Sequence, residues 1–327
     1  YRSNALGKPE KKKVIARNRG YHGVTIAAAS LTGLPFNHRS FDLPLDRVLH
    51  TTCPHYWKEG RNGESEEQFA TRCAEDLDAL IQREGPDTVA AFWAEPVMGA
   101  GGVVVPPKGY FDKIQAVLAK YDILFVADEV ICGFGRTGEM FGSTTYGIRP
   151  DVMVMSKQIT SSYVPFSAIL MNERFFAPIA DESDRISTFG HGYTAGGHPL
   201  GAAVALENLA IIQENDLVGN AREVGAHFRA RLETLKSSPL VGEVRGVGLI
   251  AAVELVEDKQ AKSVTTPGRL GGLMNAAMHR NGLISRNMTD TVAFCPPMII
   301  TRQQADDMFE IVAKSLAEVE AEVGAPA

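Results

Sequence analysis

Two side chains have types and spacing suited to chemistry between a carbonyl and an amine: Asp128 and Lys157. Each follows a short apolar run, ILFVA ahead of Asp128 and VMVM shortly before Lys157. A lysine amine can hold an aldehyde as an imine, be displaced by a substrate amine, and then stand beside the substrate carbon as acid and base. A carboxylate against a pyridine nitrogen favours the protonated ring, since an opposite charge at close range shifts a pKa by roughly 1 to 3 units. That ring can draw electrons from a carbon losing its proton. One cofactor asks for the pair: pyridoxal phosphate needs a lysine for its Schiff base and an anionic partner for its ring nitrogen.

These side chains need a scaffold that brings them to one edge. Runs of that length, rich in Val and Ile and flanked by Gly, Pro and Asp, read as buried parallel strands. In open α/β sheets the ligand crevice lies beyond the carboxyl ends of the strands. Residues 88–93 form another such run, and Glu95 follows it, so three polar residues converge at three strand ends. Taken alone, Glu95 would serve as well as a helix cap or a loop acid. A short strand over residues 13–17 leads into Gly20, Tyr21, His22 and Gly23, and residues 30–64 read as irregular connection. Phe69, Cys73, Leu77, Leu80 and Ile81 recur at helical spacing and predict a helix over 65–83, with another over 109–121. A strand over 166–171 follows. Pro199 suits the first turn of an apolar helix over 200–212, and the small residues and Thr194 ahead of it suit either phosphate binding or a plain cap. From about 215 the pattern changes to a helix over 221–235, strands across 241–254, a helix over 271–279, a last strand pair and a closing helix. Thr301 and Gln304 fit a capping box for that helix. Two α/β domains are expected, over residues 1–214 and 215–327.

With 327 residues, 45% hydrophobic and 22% charged, the chain has room for two cores, and no disordered or fibrous class fits. A net charge of -6 without long blocks of one sign argues against nucleic acid as a partner. Cys53, Cys73, Cys132 and Cys295 lack paired spacing, so neither a metal site nor a disulfide framework is indicated, and a reducing cytoplasm is the default. No run approaches the ~18 apolar residues of a membrane span.

The ordered motifs GYHG (20–23), EPVMG (95–99), DEVICGFGRTG (128–138), SKQITSSY (156–163), HGYTAGGHP (191–199) and CPPMIIT (295–301) extend over nearly the whole chain. Through them the sequence resembles class III pyridoxal-phosphate-dependent aminotransferases, and more narrowly the omega-amino-acid and amine:pyruvate transaminases. The resemblance implies an aspartate-aminotransferase-like fold (PLP fold type I): a large domain on a mainly parallel sheet and a smaller C-terminal α/β domain. It implies that the start of the large domain, with part of the phosphate loop and substrate walls, lies before Tyr1. It implies Lys157 as the catalytic lysine, Asp128 at the ring nitrogen, and Tyr21 stacked on one ring face with His22 beside it. Val130 would pack on the other face and Glu95 lie near the ring hydroxyl. Thr194 would reach the phosphate of a neighbouring subunit in a homodimer, and Arg286 would grip a substrate carboxylate, with Tyr21 also lining the substrate space. Without the resemblance Tyr21 reads as a half-buried turn aromatic and Arg286 as a solvated surface residue. The implied activity is ping-pong transfer of an amino group from an amine or omega-amino acid to a keto acid such as pyruvate.

Two other activities compete. An aminomutase or decarboxylase would use the same cofactor and the same carbanion. A dinucleotide-binding oxidoreductase is suggested by GFGRTG at 133–138, which matches G-x-G-x-x-G after a strand. That fingerprint must open a helix, whereas EMFGSTTYGIRP has no helical period, and Asp151 begins a strand where a ribose-binding acid should end one.

Overall fold

In the computed structural model, which describes residues 1–324, the apolar runs become a six-stranded sheet. Its strands are β1 (Lys13–Arg17), β2 (Val48–Thr51), β3 (Val89–Ala94), β4 (Leu124–Asp128), β5 (Val152–Met155) and β6 (Ala168–Met171). Their spatial order is β2-β1-β3-β4-β5-β6. The first five run parallel and β6 lies antiparallel on β5 at the edge. β2 falls inside the stretch expected to be irregular; its four residues VLHT are fixed by pairing Val48 to Thr51 against Val14 to Arg17.

Side chains alternate across a strand, so a sheet covered on both faces needs apolar residues at every position. Ile15, Phe92 and Phe125 pack with the helices Glu66–Glu84 and Tyr110–Lys120 through Phe69, Leu77, Ile81, Phe111 and Ile114. Their neighbours Val14, Ala91, Leu124, Val126 and Val152 form a separate cluster that includes Phe175 of the helix Glu173–Arg185. The helix Glu66–Glu84 starts at a reciprocal capping box in which Ser65 and Gln68 bond each other's backbone N–H, worth about 1 kcal/mol. Its extent agrees with the period of its apolar face within a residue.

A second unit is built from β7 (Val241–Val247), β8 (Ile250–Leu255), β9 (Arg286–Met288) and β10 (Thr291–Phe294), in the order β7-β8-β10-β9 and antiparallel throughout. The helices Leu217–Glu233, Arg269–Arg280 and Arg302–Gly324 accompany it. Thr301 and Gln304 exchange the two expected capping bonds at 2.9 and 3.2 Å. The first unit comprises Tyr1–Gly99, Pro106–Phe134 and Phe141–Glu214; the second takes the rest, including Ala100–Val105 and Gly135–Met140. Buried Arg245 donates to the carbonyls of Gly102 and Val103 and pairs with Glu243 and Glu254 at 2.6 and 2.8 Å. Arg136 donates to the carbonyls of Leu249 and Pro296. At Gly248, φ is +53° and a Cβ would lie 2.3 Å from the Arg136 carbonyl oxygen, so only glycine lets the β7–β8 turn close on that loop.

Candidate active site

Four adjacent parallel strands, β1, β3, β4 and β5, deliver polar residues to their carboxyl ends. Asp128 closes β4 with 5% exposure. Its Oδ1 accepts from the Val130 backbone N–H at 3.1 Å, a tight local turn. Its Oδ2 faces Nδ1 of His22 at 2.8 Å. A carboxylate accepts only, so His22 carries its proton on Nδ1 and leaves Nε2 buried without a partner among the described residues. The His22 backbone N–H donates to the Thr32 hydroxyl at 2.9 Å, and its ring meets that of Trp93 edge-on. GYHG therefore places an imidazole behind the aspartate, joining the exits of β1 and β4.

Glu95 sits just past β3, 3% exposed. Its two carboxylate oxygens accept from the backbone N–H groups of Tyr21 at 3.0 Å and Gly99 at 2.9 Å. Burial pushes its carboxyl up from the ordinary value, reinforced by the Asp128 charge and opposed by the Tyr21 N–H and the Arg17 charge. Glu129, fully buried beside Asp128, accepts from the Gly142 N–H and from both the N–H and hydroxyl of Ser143. It ties the turn after β4 to the short helix Gly142–Thr145, and burial raises its carboxyl too.

Lys157 lies two residues beyond the last residue of β5. Its backbone has φ +46°, a left-handed conformation that costs a non-glycine residue about 1 to 3 kcal/mol. The side chain is exposed, and its amine has no bonding partner among the described residues. Tyr21 and Val130 are half-buried, on the turns after β1 and β4. Thr194 is exposed, as is every residue from 184 to 200, and the first turn of the helix Pro199–Glu214 takes its cap from Nδ1 of His198, which accepts from the Leu200 N–H at 3.2 Å. Arg286 opens β9 in the second unit, exposed and paired in register with Ala293. Thus Tyr21, His22, Glu95, Asp128 and Val130 are joined by direct bonds, while Lys157 joins them only through strand adjacency.

The dinucleotide fingerprint at 133–138 opens no helix: the next one has four residues, Gly142–Thr145. Asp151 spends its carboxylate on the Phe125 N–H, Asn172 and Arg174, a wholly structural set. Sequence reasoning missed Arg17, Glu129 and Thr32. Arg17 had a signal, since KVIAR is also an apolar run ending in a charge.

The profile of the aminotransferase class-III family matches residues 1–316. Gamma aminobutyrate transaminase 1, mitochondrial, of Solanum lycopersicum is 48% identical over 324 residues, covering 99% of this chain and 63% of its own length. A solved transaminase with L-ala superposes with a TM-score of 0.98 at 65% identity, over 99% of this chain and 76% of that one. The omega transaminase of Pseudomonas jessenii in complex with PMP gives a TM-score of 0.98 at 55% identity, over 99% and 72%. The chain thus spans less than two thirds of the length of the curated tomato relative. By the profile over nearly its whole length, and by these relatives, the chain belongs to the class III aminotransferases.

Proposed function

We propose that the protein is a pyridoxal-phosphate-dependent transaminase moving an amino group from an amine or omega-amino acid to a keto acid such as pyruvate. The observation that carries this reading is the buried His22–Asp128 pair at 2.8 Å, at the end of the strand next to the one that leads to the strained Lys157, whose amine has no partner among the described residues. The residues present fit the cofactor. The Asp128 carboxylate keeps lone pairs beyond those used by His22 and Val130, and Lys157 offers an amine engaged in no other bond among the described residues.

When bound, pyridoxal phosphate supplies an aldehyde on a protonated pyridine ring that withdraws electrons from the substrate carbon. Lys157 is the group to hold that aldehyde, and once displaced, to take the proton from the substrate carbon and return it one position away. Asp128 would keep the proton on the ring nitrogen, and His22, bonded to Oδ2, would hold the carboxylate in orientation. Tyr21 and Val130 would pack against the ring, and Glu95 accepts the Tyr21 backbone N–H. Arg286 would receive the keto acid carboxylate through a charge-assisted, bidentate contact. Thr194 would serve the phosphate bound by a second copy, in a homodimer. The large cofactor-binding domain would comprise residues 1–214 and the small one 215–327, apart from the two loops described above. The buried free thiols of Cys53, Cys73 and Cys132 suit a reducing compartment, which we take to be the cytoplasm.

The test uses the full-length protein. Titration with pyridoxal phosphate should give a visible absorbance band that converts when an amine donor is added and returns with pyruvate. A protein that binds no cofactor, or whose band ignores amines, sinks the proposal.

A further inference from the structure

Arg17, the last residue of β1, is 1% exposed and makes no salt bridge with any described residue. A buried guanidinium is costly unless something nearby offsets its charge. Its Nη2 donates to the backbone carbonyl of Glu95, while Nε and Nη1 have no hydrogen-bond partner among the described residues. Its flat group lies 5.9 Å from the centre of the Tyr110 ring and 5.8 Å from that of Phe111.

The neighbouring ionisable groups leave one candidate for the countercharge. Burial pushes the Tyr110 phenol up to about 12 and the Cys53 thiol up to about 11, so both are neutral at ordinary pH. Glu95 remains. Burial pushes its carboxyl up, but both of its oxygens accept backbone N–H groups, bonds that are strongest to the ionised form. It is faced by Arg17 from β1, His22 from the turn after it, Asp128 from β4 and the Cys132 thiol, which burial holds protonated. Of these, Arg17 alone carries a permanent positive charge. The Arg17 carbonyl also accepts the Gly20 N–H at 3.0 Å, opening the turn that carries Tyr21 and His22.

We propose that Arg17 is a positioning residue of the cofactor site: its charge and its bond to the Glu95 carbonyl hold the Glu95 carboxylate in place, and through it the backbone of Tyr21. This rests on the transaminase reading for its purpose but not for its test. Without Arg17 the buried Glu95 takes up a proton, one of its N–H partners is lost, and the Tyr21 turn loosens.

Infrared difference spectra between the full-length protein and its Glu95→Gln variant, without added cofactor, should show an ionised Glu95 at neutral pH. In the Arg17→Gln background the same difference should show a protonated carboxyl. A protonated Glu95 in the parent, or no change on Arg17→Gln, overturns the proposal whether or not the protein is a transaminase. For the purpose, Arg17→Gln should weaken pyridoxal phosphate affinity on the order of tenfold, as expected for a charge-assisted contact. The same change should cost less than about twofold when Glu95→Gln is already present. Equal losses in both backgrounds would mean that Arg17 only packs. If Arg17→Gln does not fold, Arg17→Lys keeps the charge and should keep Glu95 ionised; a protonated Glu95 there equally refutes the role. Failure of the parent to bind cofactor would count against the transaminase reading alone.

Discussion

The two sides of the candidate site are built differently. On the side of Asp128, His22 and Glu95, all four carboxylate oxygens have partners from this chain and both acids are at most 5% exposed. On the side of Lys157, the side chain is exposed and the backbone is strained. The first side is rigid because each group is over-determined by bonds to neighbouring strands. The second offers an amine with no bonding partner among the described residues. An electron sink works best preorganised, since dipoles already in place need no rearrangement during reaction. On the proposed function the lysine would leave its bond and return in every cycle, so a fixed partner would hinder it.

Substitutions can break this contrast. Lys157→Ala should have the largest effect, a loss of turnover on the order of 10⁴-fold, because covalent anchor and acid/base are removed together. Borohydride reduction of the loaded enzyme should mark the peptide containing Lys157; label on Lys108 instead would dissolve the assignment. Asp128→Asn keeps the shape and removes the charge. A shift of 1 to 3 pKa units at the ring nitrogen corresponds to a half-reaction slowed by roughly tenfold to a thousandfold, read by single-turnover absorbance. An unchanged rate would show that the preorganised side is not the electron sink.

Arg286→Ala asks whether specificity resides on neither side but on the second unit. The half-reaction with pyruvate or alanine should lose roughly tenfold to a few hundredfold in kcat/KM, as for a charge-assisted hydrogen bond, while a carboxylate-free amine loses far less. Equal losses would give Arg286 a structural role. The smallest effect supplies the baseline of an ion pair remote from chemistry. Hydrogen bonds from Arg72 at 2.8 Å pull the Glu64 carboxyl from 4.5 down to about 2. A carboxyl lowered on folding stabilises fully above its unfolded value and loses that contribution as pH falls through the folded one. Glu64→Gln should therefore lower the urea midpoint slightly at neutral pH, and the two curves should merge as pH approaches 2; a gap that persists there would mean the pair acts by packing.

Much of the first sheet was legible because parallel strands buried on both faces are apolar throughout, and the polar residue that ends each one stands out. β2 was hidden because VLHT is short, contains His50 and lies at the sheet's edge, so only pairing with β1 makes it a strand. Arg17 obeyed the same grammar as Asp128, yet an arginine ending a strand reads as one leaving for solvent. Its burial is decided by Tyr110 and Phe111, which arrive from a distant helix. Glu129 was masked by its neighbour: it lies just past the end of β4, and its partners Gly142 and Ser143 follow a loop whose course the sequence does not dictate.

The loops lent to the second unit also bear on how the chain can fold. Arg245 is satisfied by the Gly102 carbonyl 143 residues earlier, and Arg136 reaches the Pro296 carbonyl 160 residues later. Contacts of such separation close late, because the entropy of a long loop is lost before its bonds are gained. During synthesis the segments 100–105 and 135–140 must wait for sheet strands not yet made. A fragment cut at residue 215 would carry a buried arginine without its carbonyls and a turn glycine without the loop it closes on, so the C-terminal part is a late assembly step and not a module that can be moved by itself.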